Sequence, residues 1–290
     1  MIMKNELLKN WLFASLFAFV VVGCTQDAEN IKLPETYPKL VIGSFISPQD
    51  TEIVVTITRS NPIFGTHHNN TENMKVKDAT VQLSDGSSTI VIPYDSTCEC
   101  YKITASALPI LPAKTYSMNV TTPHNESASA NCTVPPSFPT LPEVVFDTIG
   151  NDDNDDRITL KWQDIPNESN YYHLKMIELS IINNQGSIDT LQLEAWGTSN
   201  DLPTDQNRDG KTISVIFNYW YWWGNNNGGY SRIGFDFYLL NTDVNYNKYM
   251  ISLRNAGYDD PFTEPAQVYT NVKGGLGIFC AYQKRKLRKL

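Results

Sequence analysis

The fold is decided by residues 79–92, which read Ala-Thr-Val-Gln-Leu-Ser-Asp-Gly-Ser-Ser-Thr-Ile-Val-Ile. Apolar and polar residues alternate at Val81 and Leu83, and alternate again from Ile90, which is the two-residue period of a strand with one buried face. Asp85-Gly86 lies between the two runs. Because Asp and Gly tolerate the positive φ of a tight turn, the stretch predicts a β-hairpin.

The same alternation continues on both sides of this hairpin. Five further runs share it: Leu40-Val41-Ile42, Ile53/Val55/Ile57, Tyr101/Ile103, Tyr116/Met118/Val120 and Ala128/Ala130/Cys132/Val134. Short strands separated by turns at this spacing are typical of a sandwich in which two sheets share one core. The sequence therefore predicts an immunoglobulin-like domain over residues 38–134.

A second β domain is predicted after a proline-rich linker at residues 135–142. Proline removes backbone donors that a sheet needs and favours an extended chain, so we place the domain boundary there. Residues 143–283 then alternate as further strands. Within them, the order Trp162, Asp164, Pro166, Tyr171-Tyr172 resembles the first hairpin of a fibronectin type III-like sandwich. The sequence thus predicts an all-β chain with a second, fibronectin III-like elaborated sandwich, in which His173 has a structural role.

One short helix is predicted in the last third of the chain. Tyr246, Tyr249, Met250 and Leu253 follow the spacing i, i+3, i+4, i+7 of a helix with one apolar face. Thr242 or Asp243 supplies an N-cap, and Gly257 ends the helix. We expect its apolar stripe to pack on the second sheet.

The stretch 212–223 predicts a strand with aromatic residues on both faces. Phe217, Tyr219, Tyr221 and Trp223 share one face, while Trp220 and Trp222 share the other. One face fills the core, and the other needs a covering element, a protein partner, or a flat ligand such as a sugar ring or a peptide. Trp220, Trp222 and Tyr230 are therefore candidate binding residues. The alternative is that both faces belong to the core.

A calcium loop and a plain turn compete at residues 205–210, Asp-Gln-Asn-Arg-Asp-Gly. Oxygen ligands and a glycine stand at positions 1, 3, 5 and 6 of a calcium loop, but position 12 is Ile216 where a bidentate Glu is expected. A turn at Asp209-Gly210 that leads into the next strand explains the same residues without an ion. We expect no metal and no cofactor.

Four cysteines, Cys98, Cys100, Cys132 and Cys280, follow residue 24. Their spacing allows a Cys100–Cys132 or a Cys98–Cys132 disulfide. The alternative is that they are small buried apolar residues without a bridge.

The N-terminus has the pattern of a secretion signal. Basic residues precede an apolar run at residues 11–22, which is too short to span a bilayer that needs about 20 residues. Val21-Val22-Gly23-Cys24 resembles the bacterial lipoprotein box, in which the signal peptide, here residues 1–23, is removed and the cysteine is acylated. We therefore expect Cys24 to be lipidated and residues 24–37 to form a flexible tether.

Charge and motif content exclude several functions. The chain has a formal net charge of −8, so we do not expect nucleic acid as a partner. Basic residues cluster at 284–290, which we interpret as a solvated tail. HExxH, GxSxG and P-loop sequences do not occur, so we expect no enzymatic activity.

Several short segments resemble a Bacteroidota lipoprotein family that is classed as a domain of unknown function. The segments are Pro38–Gly43, Val76–Val81, Asn170–Tyr172, Asp260–Pro265 and Tyr269–Phe279. The resemblance implies a lipobox, an immunoglobulin-like N-terminal domain, an all-β C-terminal domain and a gene beside a TonB-dependent outer-membrane receptor. It supplies no catalytic residues. We interpret Gly274, Gly275 and Gly277 as turn residues with a structural role.

Two functional hypotheses follow. In the first, the protein is anchored by lipid in the outer membrane, at the cell surface, and is an accessory or substrate-binding partner of a TonB-dependent transporter, with a glycan or peptide as ligand. In the second, it is an adhesion or structural lipoprotein of the cell envelope without a small-molecule ligand.

Overall fold

The computed structural model describes residues 37–61, 74–148, 155–184, 187–195, 201–220, 230–256 and 267–290. Within these ranges the chain forms strands and one α-helix, α1, at Val244–Ala256. The strands are β1 Leu40–Ile46, β2 Glu52–Arg59, β3 Thr80–Ser84, β4 Thr89–Ile92, β5 Tyr94–Asp95, β6 Cys100–Thr104, β7 Thr115–Thr121, β8 Ser127–Thr133, β9 Glu143–Thr148, β10 Asp155–Gln163, β11 Tyr171–Asn184, β12 Ser187–Ala195, β13 Thr212–Trp220, β14 Tyr230–Thr242 and β15 Leu276–Lys289. The predicted all-β class with one short helix is confirmed.

The predicted hairpin at residues 79–92 is formed by β3 and β4, which pair in antiparallel register. Gly86 has φ +86°, the conformation that the turn demands. The Asp85 carboxylate accepts the N–H groups of Ser87 and Ser88 at 2.9 and 2.7 Å. An ion pair with Lys114, together with these donors, lowers the pKa of Asp85 to about 2. The turn is therefore held by its own side chain.

The first core lies between two sheets. One is the four-stranded sheet β4-β3-β7-β8, and the other is the half of an eight-stranded sheet that contains β1, β2 and β6. Strands β7 and β8 alternate buried and exposed residues along their length, as the period-two pattern predicts. The inward residues include Tyr116, Met118 and Val120, which are fully buried.

The second core lies between the three-stranded sheet β13-β10-β9 and the other end of the eight-stranded sheet, where β11 and β14 lie. Trp162 is buried in this core, and its ring meets the ring of Tyr172 edge to face at 5.3 Å between centroids. Phe217 is buried as well. Trp162 and Phe217 are therefore both members of the second core.

Strand β15 joins the two halves of the eight-stranded sheet, whose order is β12-β11-β14-β15-β1-β2-β6-β5. It pairs in parallel with β1 and in antiparallel with β14. The described residues belong to one compact unit. The predicted linker at 135–142 falls between the strands of the two cores, but β15 contributes Phe279 to the first core and packs Leu287 against the second.

The prediction of a solvated tail at residues 284–290 is wrong for residues 284–289, which form the second half of β15. A strand is held by its backbone hydrogen bonds, and these do not depend on the side chains. The charged side chains find partners across the sheet, and Arg288 forms a two-pronged ion pair with Asp236 at 2.6 and 2.7 Å. Alternation places Lys284, Lys286 and Arg288 on one face of this strand, while Arg285 on the other face donates to the carbonyl oxygen of Pro139 at 2.8 Å.

Helix α1 begins after Asp243, whose carboxylate accepts the N–H of Tyr246 at 2.8 Å, as the predicted N-cap should. The helix covers the middle of the eight-stranded sheet on the face opposite the two cores, where Tyr246 packs with Leu240, Ile278 and Cys280. Leu253, the last residue of the predicted stripe, is 40% exposed.

The predicted Cys100–Cys132 and Cys98–Cys132 disulfides are both wrong. The disulfide joins Cys98 to Cys100, whose Cα atoms are 5.2 Å apart, and Glu99 between them has φ +51°. Cys132 and Cys280 are buried free thiols, in accord with the alternative of small apolar core residues. Burial raises the pKa of both thiols. Cys132 points into the first core from β8, so it is committed to packing.

Candidate functional site

A pocket of about 290 Å³ lies on the face of the eight-stranded sheet that carries α1. Its walls combine aromatic rings, aliphatic side chains and two lysines. The aromatic members are Phe45, Tyr238, Tyr246 and Tyr282, the aliphatic members are Ile177, Leu240 and Met250, and the lysines are Lys175 and Lys284. A concave, mostly apolar site with a few convergent polar groups is the usual form of a small-molecule site.

Strand alternation places these residues together. Along β11, β14 and β15, every second side chain faces α1, and the register sets these side chains in rows across the sheet. Lys175 stands opposite Tyr238, and Tyr238 stands opposite Lys286. In the next row Leu240 stands opposite Lys284. The lysines therefore flank the apolar floor.

Carboxylates hold two lysines on this face of the sheet, Lys284 of the pocket lining and its neighbour Lys286. Lys284 Nζ lies 2.6 Å from Asp50 Oδ1, and the Tyr282 hydroxyl donates to Asp50 Oδ2 at 2.9 Å. Lys286 Nζ lies 2.8 Å from Asp236 Oδ2. The Arg288 guanidinium, with a further contribution from Lys286, lowers the pKa of Asp236 to about 2. Both carboxylates thus fix the positions of the ammonium groups.

His173 lies beneath the helix and has a structural role, as predicted. Its Nδ1 is hydrogen-bonded to the Tyr246 hydroxyl at 2.6 Å. Burial, with repulsion from Lys175 and Arg254, lowers the pKa of His173 to about 3. The imidazole is therefore neutral near pH 7, and it positions Tyr246 against the sheet.

Asp243 ties α1 to β15 at the edge of the same region. In addition to capping the helix, its carboxylate accepts the N–H of Ala281 at 3.0 Å. Burial raises the pKa of Asp243 to about 6, although the backbone donors act in the opposite direction. The helix N-terminus and the central strand therefore share one buried carboxyl group.

The predicted turn at residues 205–210 lies beside the second core and is remote in sequence from the pocket residues. Asp164 joins Asp205 and Asp209 there, with ligand oxygens within 4.8 Å of one another. Asp164 accepts the Tyr172 hydroxyl at 2.7 Å and the N–H of Gly210 at 2.8 Å. These two hydrogen bonds connect the turn to the second core. Together with the φ of +65° at Gly210, they give the residues of the turn a structural role. Asp164 lies about 40 residues before this turn, so the pattern at 205–210 could not predict that it takes part.

The predicted binding residues lie at the margins of the described structure. Cys24 and Trp222 are outside the described residues. For Trp220, at the end of β13, and Tyr230, at the start of β14, the structure describes only the backbone. Sequence reasoning missed the pocket because its lining residues come from β1, β11, β14, β15 and α1, which only the fold brings together.

The comparisons with known proteins give a family and no activity. Among the described residues, α1 falls short of the length and apolar character that a membrane-spanning helix needs. No curated protein matches the chain. A sequence family matches residues 28–288, which include all the described strands apart from the last residue of β15, together with the helix that lines the pocket. The chain therefore belongs to that family, which is described as domain of unknown function DUF4249.

Proposed function

We propose that the protein is a lipoprotein anchored in the outer membrane of a Bacteroidota cell, at the cell surface, where it acts as a substrate-binding partner of a TonB-dependent transporter. The anchor is supported by the lipobox at residues 21–24 and the polar tether that follows it. The receptor partnership is supported by the resemblance of the segments around residues 38–43 and 260–279. The acylated Cys24 holds the β-sheets at the membrane surface.

The observation that carries the binding role is the pocket beneath α1. An adhesion or structural protein without a ligand needs only a well-packed core. In such a protein we expect the helix to pack against its sheet face without leaving a recess. Instead the helix leaves a recess of about 290 Å³ with half-buried aromatic rings and lysines at its walls. Such a recess favours capture of a ligand over the alternative of an adhesion or structural protein.

Affinity purification from solubilised outer membranes tests the proposal. The wild-type chain with a C-terminal tag is compared with Cys24→Ser, which cannot be acylated. We expect the wild-type protein to incorporate a labelled fatty acid, to fractionate with the outer membrane and to retain a TonB-dependent receptor during purification. We expect the variant to lose all three properties.

Two results would contradict separate parts of the proposal. Fatty-acid label in Cys24→Ser would contradict the proposal that Cys24 carries the lipid anchor. The wild-type protein could also be acylated and reach the outer membrane but retain no receptor. That result would contradict the proposed transport role and favour the structural alternative.

A further inference from the structure

We infer that the pocket beneath α1 binds a neutral, flat aromatic compound of about two fused rings. The inference rests on the proposed function, because it names the substrate class of that site. Three features carry it: polar groups that are already engaged within the protein, ring walls set at steep angles to one another, and the volume of the recess.

The two lysines that line the pocket have partners within the protein. Lys284 Nζ lies 2.6 Å from Asp50 Oδ1. Lys175 has an interaction partner of its own. A carboxylate ligand would lose its hydration in the recess without meeting an uncompensated cation, and a cationic ligand would meet two ammonium groups. The lining therefore favours a neutral ligand.

The tyrosine hydroxyls of the lining are engaged as well. Each interacts with another side chain of the protein: Tyr246 with His173 at 2.6 Å, Tyr282 with Asp50 at 2.9 Å, and Tyr238 with Lys286. A sugar in this recess would leave several of its hydroxyl groups without partners, and each such group costs free energy. The lining therefore favours an apolar ligand over a sugar.

The walls suit a flat ring. Phe45 and Tyr246 meet edge to face, with centroids 5.6 Å apart and planes at 77°. Tyr246 and Tyr282 are at 6.1 Å and 60°. Phe45 and Tyr282 are half-buried, so part of each side chain is accessible to a ligand. A further flat ring can meet such rings edge to face or in an offset stack, and a saturated compound of the same size lacks this gain.

The volume of the recess sets the size of the ligand. The recess measures about 290 Å³, and the aliphatic side chains of Ile177, Leu240 and Met250 are part of its lining. An apolar cavity of about 150 Å³ accommodates benzene, so roughly twice that volume suits two fused rings. Oligosaccharides and long peptides are too large to enter.

Calorimetric titration of the purified full-length chain tests the inference with three probes that share one fused-ring skeleton. They are 2-naphthol, its saturated analogue decahydro-2-naphthol, and the anion 2-naphthoate. We expect 2-naphthol to bind about tenfold more tightly than either of the others, because only 2-naphthol is both flat and neutral. Its affinity should stay the same between roughly 0.05 M and 0.5 M salt, since no charge pairing is involved.

A matched pair of variants tests the location. Ile177→Trp, which fills the recess, should abolish binding of 2-naphthol. Ile251→Trp makes the same change at a residue of α1 that is 41% exposed and lies outside the pocket lining. We expect it to leave the affinity for 2-naphthol within about twofold, because distant sites act independently.

Phe45→Leu tests the role of the ring walls, because it removes one ring and keeps an apolar side chain. We expect it to weaken binding of 2-naphthol about fivefold and to leave decahydro-2-naphthol within about twofold. A merely structural role of Phe45 would weaken both probes alike.

Several results would overturn the inference. Equal affinity for the flat and the saturated probe would contradict the aromatic preference, and tighter binding of 2-naphthoate that weakens with salt would contradict neutrality. No binding of 2-naphthol by wild type, or an equal loss in Ile177→Trp and Ile251→Trp, would contradict the site. If Ile177→Trp fails to fold, Phe45→Leu decides in its place, and an unchanged affinity for 2-naphthol would then overturn the inference.

This outcome is separable from that of the proposed function. Binding of 2-naphthol without capture of a receptor would retain the ligand site and contradict the transporter role. Capture of a receptor by a chain that binds none of the probes would do the reverse.

Discussion

The two faces of the eight-stranded sheet differ more than the two sandwiches do. One face packs on the three- and four-stranded sheets through two apolar clusters, with buried polar side chains such as Ser44, Asn241 and Gln283 on the same face. The other carries α1, the pocket and a run of paired charges. Strand β15 builds both, because Phe279 and Ala281 point into the first core while Lys284 and Lys286 point to the helix side. One face is committed to the two cores, and the other carries the recess beneath the helix.

This comparison shows how a single strand can combine scaffold and site. A residue and its neighbour in the chain face opposite sides, so a substitution can damage one face and spare the other. The predictions below distinguish the contributions of the two faces. The first concerns a substitution that disrupts the pairing of β15, the strand that contributes to both faces.

The largest effect is expected for Gly277→Ala. Gly277 is the second residue of β15 and has φ +97°, and a Cβ there would lie 2.1 Å from the carbonyl oxygen of Ile42 in β1. Because this contact is to backbone, the parallel pairing of β15 with β1 would have to open. We expect loss of most of the free energy of unfolding, measured in urea.

Gly86→Ala is the matched control for this prediction. Gly86 has a similar φ of +86° but no atom within 4 Å of the added Cβ. We expect a cost of about 1–2 kcal/mol, the strain of a left-handed residue alone. Equal costs for the two variants would show that β1 tolerates the intrusion and that β15 does not depend on Gly277.

The next effect separates the faces directly, at two successive residues of β14. Phe237 is fully buried in the second core, and Tyr238 is half-buried at the pocket. We expect Phe237→Ala to cost about 3–5 kcal/mol in urea unfolding, the range for a core aromatic. Tyr238→Ala should cost about 1 kcal/mol, in the range of substitutions outside the core. A larger cost for Tyr238→Ala would mean that the pocket face also holds the fold together.

Much of the fold could be predicted from local pattern. The alternation at residues 79–92, the proline segment and the cap of α1 each depend on neighbours in sequence, so they were visible there. The pairing of β1 with β15 was not, because it joins residues more than 230 positions apart. The charges at 284–289 indicated a tail because the partner carboxylates, Asp50 and Asp236, lie far along the chain.

The pocket could not be predicted for the same reason. Lys175, Tyr238 and Lys286 form one row only after the register of β11, β14 and β15 is fixed. Within the sequence of its own strand, none of these three residues has a feature that predicts a site. The turn at 205–210 was recognised from its residues, but its third carboxylate, Asp164, is supplied by the chain that follows β10.

A third prediction concerns the pH dependence of the helix face. The pKa of Asp243 rises to about 6 in the folded protein from an ordinary 3.8, so between these values the folded state binds more protons than the unfolded state. Its contribution to stability is complete below about pH 4 and decreases as the pH rises to about 6. Asp243→Asn removes this titration while keeping a good N-cap.

We therefore expect the stability of wild type relative to Asp243→Asn to fall by about 3 kcal/mol between pH 4 and pH 7. Urea unfolding of both proteins across that range measures it. Taking the difference removes the opposite contribution of His173, whose lowered pKa makes stability increase with pH over part of the same range. A difference that does not change with pH would show that Asp243 keeps its ordinary pKa.

The smallest effect is expected for Trp220→Ala in β13. Phe217 of this strand is buried in the second core, whereas Ile216 on the opposite face is 42% exposed, and alternation predicts that Trp220 shares the face of Ile216. We expect a cost below about 1 kcal/mol, as for a surface residue. Trp162→Ala is the control, because Trp162 is 2% exposed in β10 and should cost about 3–5 kcal/mol. Similar drops in the thermal midpoints of the two variants would place Trp220 in the scaffold and remove it from the candidate binding residues.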